Sequence, residues 1–200
     1  MARPKEFDRD VALETAKSMF WRRGYEATST EDLRLAMGIG RQSFYDTFGG
    51  KRPLYLEVLR RYNADGVQAC VDQVRGARSP FGALQDLLLS YSKEKPDRRA
   101  LGCLGVSAIC EFGVRDAEVA RIGTSSSERL EAVLKGLLRE AKAKREVRPS
   151  LNERAASRHL QAIILGMKVM SKAGARAETL RDVALAALEG MASRKIEERR

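Results

Sequence analysis

Arg41, Gln42, Ser43, Tyr45 and Asp46 crowd hydrogen-bonding side chains into the run Arg41-Gln42-Ser43-Phe44-Tyr45-Asp46-Thr47-Phe48, bracketed by Gly38-Ile39-Gly40 and Gly49-Gly50-Lys51. Coiled as a helix, the run puts Phe44 and Phe48 four apart, facing inward with Ile39. At about 100° per residue, Gln42 and Asp46 then point most directly outward, flanked by Ser43 and Tyr45. A guanidinium and a carboxamide at Arg41 and Gln42 suit guanine and adenine edges respectively in a DNA major groove. Tyr45 is surplus to the inward face that the two phenylalanines supply, and is read as a DNA contact. Lys51 stands at the start of the next helix, where the helix dipole disfavours a cation unless an anion arrives. It is read as a phosphate contact.

Other chemistries lack their residues. His159 is the only histidine, which leaves acid–base and metal sites short of a ligand or base, and it is read as a surface or packed side chain. Cys70, Cys103 and Cys110 form no CxxC and no even set, so they are read as free thiols. Gly50-Lys51 lacks the opening glycine of a phosphate loop (Tyr45 stands there), and Arg52 replaces its Ser/Thr. No catalytic residue, metal site or cofactor is expected, and an enzyme is excluded on those grounds. No apolar run is long enough to span a bilayer, and Arg3 and Lys5 are followed by Glu6, Asp8 and Asp10 rather than an apolar leader. The expected location is cytoplasmic, with no membrane partner.

The net charge of +10 favours an anionic partner. Residues 1–52, however, hold ten Lys and Arg against eight Asp and Glu. Their net +2 leaves the motif, not the charge, to carry the nucleic-acid reading.

The elements that must position these side chains are helical throughout. Asp8 suits the N-cap of a first helix with Ala12, Leu13, Ala16, Met19 and Phe20 on one face. Gly24 ends it in a left-handed position, and Tyr25 packs back on Phe20. Thr28-Ser29-Thr30-Glu31 fits a capping box, with Ser29 and Asp32 as the competing frame. Leu33, Ala36 and Met37 form the buried side of the short helix that Gly38 stops. Two short helices joined by a tight Gly-containing turn read as a helix-turn-helix. Beyond Lys51 a long helix runs towards Val74, and Pro80 opens another with Leu84, Leu87, Leu88 and Tyr91. Residues 102–113 are expected as one short helix with Cys103 and Cys110, seven apart, on one face. A long helix follows over about 116–145, then a final pair over 152–172 and 178–192. Residues 194–200 are expected to fray. With no strand alternation and no repeat, the fold class is all-α.

Gly24-Tyr25-Glu26-Ala27-Thr28-Ser29, Leu33, Ala36, Gly38-Ile39, Ser43-Phe44-Tyr45, Phe48-Gly49, Lys51 and Leu54-Tyr55 together resemble the TetR family of bacterial one-component regulators, over roughly residues 7–66. The resemblance implies an N-terminal three-helix DNA-binding domain over 6–66, with its motif at about 29–48. A C-terminal helical domain over 67–200 would bind ligand and dimerise. It implies a homodimer on palindromic double-stranded operator DNA, usually repressing, and released by a small-molecule effector. Carried over by position, Ser29 and Thr30 touch phosphate, Arg41, Gln42 and Ser43 sit at the recognition-helix N-terminus, Tyr45 and Thr47 flank the groove, and Lys51 meets phosphate. Three positions depart from the family pattern: Gly40 replaces a frequent Ser cap, Thr47 a frequent His, and Asp46 sets a negative charge on the outward face.

The final helical pair carries more apolar side chains than one internal contact needs. Ile163, Ile164, Met167, Leu185 and Leu188 are read as the dimer interface, in an intermolecular four-helix bundle. The effector is expected within residues 80–170, with no ligand-binding residue identified. Two alternatives stand beside this reading: a cytosolic helical ligand carrier that no longer binds DNA, and a repressor sensing thiol-reactive compounds through Cys103 or Cys110.

Overall fold

The computed structural model describes residues 7–193 of the 200-residue chain. The 194–200 tail, Arg3, Lys5 and Glu6 lie outside the described residues. Within the described residues ten α-helices follow in order: α1 Arg9–Arg23, α2 Thr30–Met37, α3 Arg41–Phe48, α4 Lys51–Val74, α5 Pro80–Lys93, α6 Pro96–Leu101, α7 Leu104–Phe112, α8 Ala117–Ala143, α9 Glu153–Lys172 and α10 Ala177–Glu189. A 3₁₀ turn, Gly113–Arg115, links α7 to α8. Among the described residues the only extended pairing is a single antiparallel bridge between Val147 and Ala192.

The chain divides into two compact units. The first comprises Met1–Ala64 and Leu104–Gly123, the second Asp65–Cys103 and Thr124–Arg200. A boundary drawn near residue 66 from the motif therefore leaves out α7 and the start of α8, which pack with the first unit.

In the first unit, Asp8 caps α1 by accepting from the N–H groups of Asp10 and Val11. Ala12, Leu13, Ala16 and Phe20 are buried, and Trp21 joins them. The competing capping frame is the one realised at α2: Ser29 accepts from the Asp32 N–H while Asp32 accepts from the Ser29 N–H. Thr28 is instead fully buried and donates its hydroxyl to the Gly24 carbonyl at 2.7 Å. Of the expected buried side of α2, only Leu33 is buried; Ala36 is exposed and Met37 half-buried. The helix is only eight residues long, too short for its periodicity to fix a face unaided. Gly38, at φ 67° and ψ 31°, is left-handed between α2 and α3, a conformation that a Cβ disfavours. Arg34 ties this turn down, reaching the Glu31 carboxylate at 3.0 Å and the Ile39 carbonyl at 3.1 Å.

The second unit is built on a core of α5, α8, α9 and α10. Leu84, Leu87, Leu88, Leu134, Leu138, Leu160, Ile164, Met167, Leu180 and Leu188 share one cluster. Ser79 caps α5, and Glu146 adds an acceptor for the Phe81 N–H at 2.8 Å. Residues 102–113 are not one helix: α6 ends at Leu101 and α7 begins at Leu104. Cys103, in the break, is buried, whereas Cys110, on α7, is exposed. The two thiols do not share a helix face, because the break at Gly102 (φ 63°, ψ −132°) resets the register.

Candidate nucleic-acid interface

Phe44 is fully buried and Phe48 nearly so, with Ile39 beside them. Their rings lie 5.9 Å apart. This inward face fixes the rotation of α3 and leaves Arg41, Gln42, Tyr45 and Asp46 exposed, with Ser43 and Thr47 half-buried. Tyr45 keeps 45% of its surface exposed although its ring meets Phe44 edge-on at 5.5 Å. Gly40 precedes α3 as an N-cap without a side-chain hydrogen bond, so the first N–H groups of α3 are uncapped by a side chain. N–H groups of this kind, at the positive end of a helix dipole, suit a phosphate oxygen.

Asp46 is neither isolated nor a free acceptor. It accepts from Gln42 Nε2 at 2.8 Å, one turn back along α3. That contact turns the Gln42 carboxamide so that Oε1 and the second N–H of Nε2 remain for a partner. This acceptor–donor pair matches the N6 and N7 atoms of adenine.

Ser29 is exposed and Thr30 half-buried at the start of α2, but Ser29 Oγ is engaged with Asp32 at 2.7 Å. Lys51 is half-buried, with its ammonium 4.1 Å from the centroid of the Tyr25 ring. Its neighbour Arg52 is held by the Asp116 carboxylate through two hydrogen bonds, 2.6 and 3.1 Å, and lies 3.7 Å from Glu118. Arg60 reaches Glu118 at 2.5 Å. Arg52 and Arg60 are thus occupied by carboxylates, while Lys51 rests on an aromatic face that it can leave without stranding a buried ion.

The Arg52 guanidinium, then the Val119 N–H, hold the Asp116 carboxyl down to about 2. A carboxyl whose folded pKa lies below its unfolded value stabilises the fold above the unfolded value, and that contribution is lost as pH falls through the folded one. The Asp116 contribution is therefore complete above about pH 4 and lost towards pH 2. Arg52→Met should raise the Asp116 pKa towards the ordinary aspartate range, which carboxyl carbon NMR titration measures directly. An unmoved titration would mean that the backbone N–H groups alone set it.

Sequence reasoning missed Glu111, Phe112 and Asp116, which the structure brings onto the first unit. The Glu111 carboxylate accepts from the main-chain N–H groups of Tyr25 and Glu26. Phe112 lies 5.3 Å from Tyr25 and 5.6 Å from Tyr55. One signal was available: Glu111 is the only charged residue between Leu101 and Phe112.

The five residues read as a dimer interface divide. Ile164, Met167 and Leu188 are buried in the protomer core, and Ile163 and Leu185 are half-buried. Much of the apolar surplus counted from the sequence is buried in the core shared by α5, α8, α9 and α10. The apolar residues that stay exposed on α9 are Ala155, Ala162, Leu165, Gly166 and Val169, with Arg158 and His159 exposed beside the first two, a stripe at helix-contact spacing. Leu165 and Val169 expose 39% and 50% of their surface. Beside the N-terminal half of α9 and the end of α10 lies a groove of about 430 Å³, lined by Ala155, His159, Ala186, Gly190 and neighbours.

Among the described residues no group of His, Cys, Asp and Glu could hold a metal ion, and no helix is long and apolar enough to cross a membrane.

Comparison with known proteins adds to this geometry. Residues 12–58 match the family described as bacterial regulatory proteins, tetR family, and residues 81–188 match the tetracyclin repressor-like C-terminal domain. The chain is 34% identical over 185 residues to the uncharacterized HTH-type transcriptional regulator YezE of Bacillus subtilis, covering 91% of this chain and 95% of that protein. It is 30% identical over 188 residues to the HTH-type transcriptional repressor ComR of Escherichia coli, covering 91% and 88%. A solved structure of the TetR family transcriptional regulator CifR, a cysteine mutant complexed with 26-bp double-strand operator DNA, aligns with a TM-score of 0.77 at 26% identity. The alignment covers 95% of this chain and all of that one.

Proposed function

The chain belongs to the TetR family of bacterial helix-turn-helix transcriptional regulators, and we propose that it is a homodimeric repressor that reads a palindromic operator through α3 and leaves it when a small molecule binds. The observation that carries this reading is the two-faced α3, whose buried phenylalanines leave Arg41, Gln42 and Tyr45 exposed beside an uncapped N-terminus. Arg41, Gln42 and Ser43 read base edges, with the Gln42 amide aligned by Asp46. Tyr45 and Thr47 flank the groove, and Ser29, Thr30 and Lys51 meet phosphate. ComR, named a repressor, and CifR, solved on operator DNA, support the direction of regulation and the class of partner.

Dimerisation uses the outer stripe of α9, where Gly166 and the alanines let a second helix approach closely and Leu165 and Val169 supply apolar contact. The groove beside α9 and α10 accepts side chains of the second copy. The effector binds in the second unit. Because α4 begins with Lys51 in the first unit and ends in the second, an effector that shifts its far end changes the presentation of both recognition helices. A hundredfold loss of operator affinity needs about 2.8 kcal/mol of coupling, within the usual allosteric range. By reciprocity, operator DNA weakens effector binding by the same factor.

Selection from a pool of randomised duplexes tests the reading. Enrichment of an inverted repeat supports it, and retention of no duplex above the salt-sensitive background rejects it. On the selected duplex, Lys51→Ala should weaken all sequences similarly and lower the salt slope by about 1 per phosphate, or about 2 per dimer. A measured slope equal to that of the unaltered protein rejects the phosphate assignment.

A further inference from the structure

Glu111 holds main-chain groups that lie far from it along the chain. Its two oxygens accept from consecutive N–H groups, Tyr25 at 3.0 Å and Glu26 at 2.7 Å, across more than eighty residues of sequence. These N–H groups belong to the turn between α1 and α2. Gly24, at φ 82°, brings the turn against the carboxylate so closely that a Cβ there would lie 3.3 Å from Glu111 Oε2. The Tyr25 ring sits in an aromatic group with Phe20, Tyr55 and Phe112 at 6.3, 4.9 and 5.3 Å, and it carries the Lys51 ammonium 4.1 Å from its centroid. A carboxylate, a turn, a ring and a lysine thus connect α7 to the start of α4.

We infer that Glu111 is a positioning residue for DNA binding: by clamping the Tyr25–Glu26 turn it fixes the aromatic seat from which Lys51 meets phosphate. The inference rests on the reading of Lys51 as a phosphate contact. Hydrogen bonds from N–H groups to an ionised carboxylate are about twice as strong as neutral ones, so the turn is held more firmly than solvent would hold it. Glutamine at this position keeps the size but offers one acceptor oxygen, and its NH₂ group faces the second N–H donor to donor. One of the two anchors is then removed and the Tyr25 ring is released with it.

The sign of the effect separates this role from a bystander's. A carboxylate that merely lies on the DNA-binding unit repels a polyanion, so neutralising it tightens binding. A carboxylate that positions Lys51 does the opposite.

Glu111→Gln, Lys51→Met and the double variant, made in the full-length protein, are compared on the selected duplex over a range of salt. Glu111→Gln is expected to weaken binding about tenfold, because in each half-site Lys51 meets phosphate from a less firmly fixed seat. It should flatten the salt slope as Lys51→Met does, and add less than about twofold when Lys51 is already replaced. The Tyr25 and Glu26 amides should exchange with solvent faster. Tighter or unchanged binding by Glu111→Gln overturns the inference, and so does a cost that is equal in both Lys51 backgrounds while Lys51→Met itself flattens the slope. If Lys51→Met leaves the slope unchanged, the phosphate reading fails and this inference falls with it. Should Glu111→Gln fold poorly, Glu111→Asp keeps the charge on a shorter arm. It should bind less tightly with the same dependence on Lys51, and independence from Lys51 overturns the inference again.

Discussion

Replacing Leu165 and Val169 together by glutamate should yield a folded monomer whose operator affinity falls by about two to four orders of magnitude, the avidity that a second linked site supplies. Both side chains are exposed on the protomer, so their replacement leaves its core intact. At the proposed dimer contact the new carboxylates face their own copies across a two-fold axis, in a site that excludes water. Sedimentation velocity at micromolar concentration, together with helix content by circular dichroism, decides the outcome. A dimer that persists with full operator affinity places the interface elsewhere. Glutamate at Ile164 or Leu188 is not an equivalent test. Those side chains are 1% and 2% exposed, so a charge there would be buried unpaired inside the protomer and unfold it.

The two faces of α3 should fail in different ways. Phe44→Ala removes a fully buried ring and should destabilise the first unit by about 3–5 kcal/mol, abolishing binding to every duplex. Gln42→Ala removes an exposed amide and should leave the melting temperature nearly unchanged, while shifting preference by about 1–3 kcal/mol at one base pair per half-site. Thermal unfolding and competition among single-substituted duplexes measure the two effects. A Gln42→Ala protein with unaltered base preference would remove Gln42 from base readout.

The helix-turn-helix was legible in the sequence because its information is local. A capping box at the start of α2, the Gly38 turn, and Phe44 with Phe48 one turn apart each fix geometry within a few residues, although the sequence favoured Thr28 with Glu31 over the Ser29–Asp32 frame that forms. The outer face of α9 was not, for the opposite reason. A helix rich in Ile, Leu and Met announces that it will be buried but not by what. In this chain Ile164, Met167 and Leu188 are buried in the core of the second unit, leaving Leu165 and Val169 exposed. The break after Leu101 was hidden because Gly102 sits in an apolar stretch that fits a helix equally well. Glu111 stood out as the lone charge in an apolar stretch, but its partners are main-chain N–H groups far off in sequence that no residue type announces. Asp46 was legible as outward-facing, but its bond to Gln42 depends on rotamers that periodicity does not set.

That Leu104–Gly123 belongs with Met1–Ala64 has a bearing on how the protein is made. As the chain leaves the ribosome, the recognition helix emerges early, yet the side chains that complete its unit lie some 60 residues further on. At translation rates of about 5–20 residues per second the nascent segment waits roughly 3–12 s for Phe112, Glu111 and Asp116. Through that interval Tyr25 and Tyr55 lack the Phe112 ring, and Arg52 and Arg60 lack the carboxylates of Asp116 and Glu118. A newly made copy therefore gains its finished headpiece only after the first segment of the second unit, Asp65–Cys103, has been synthesised, and a nascent chain stalled before residue 104 would carry the motif without the side chains that complete its unit.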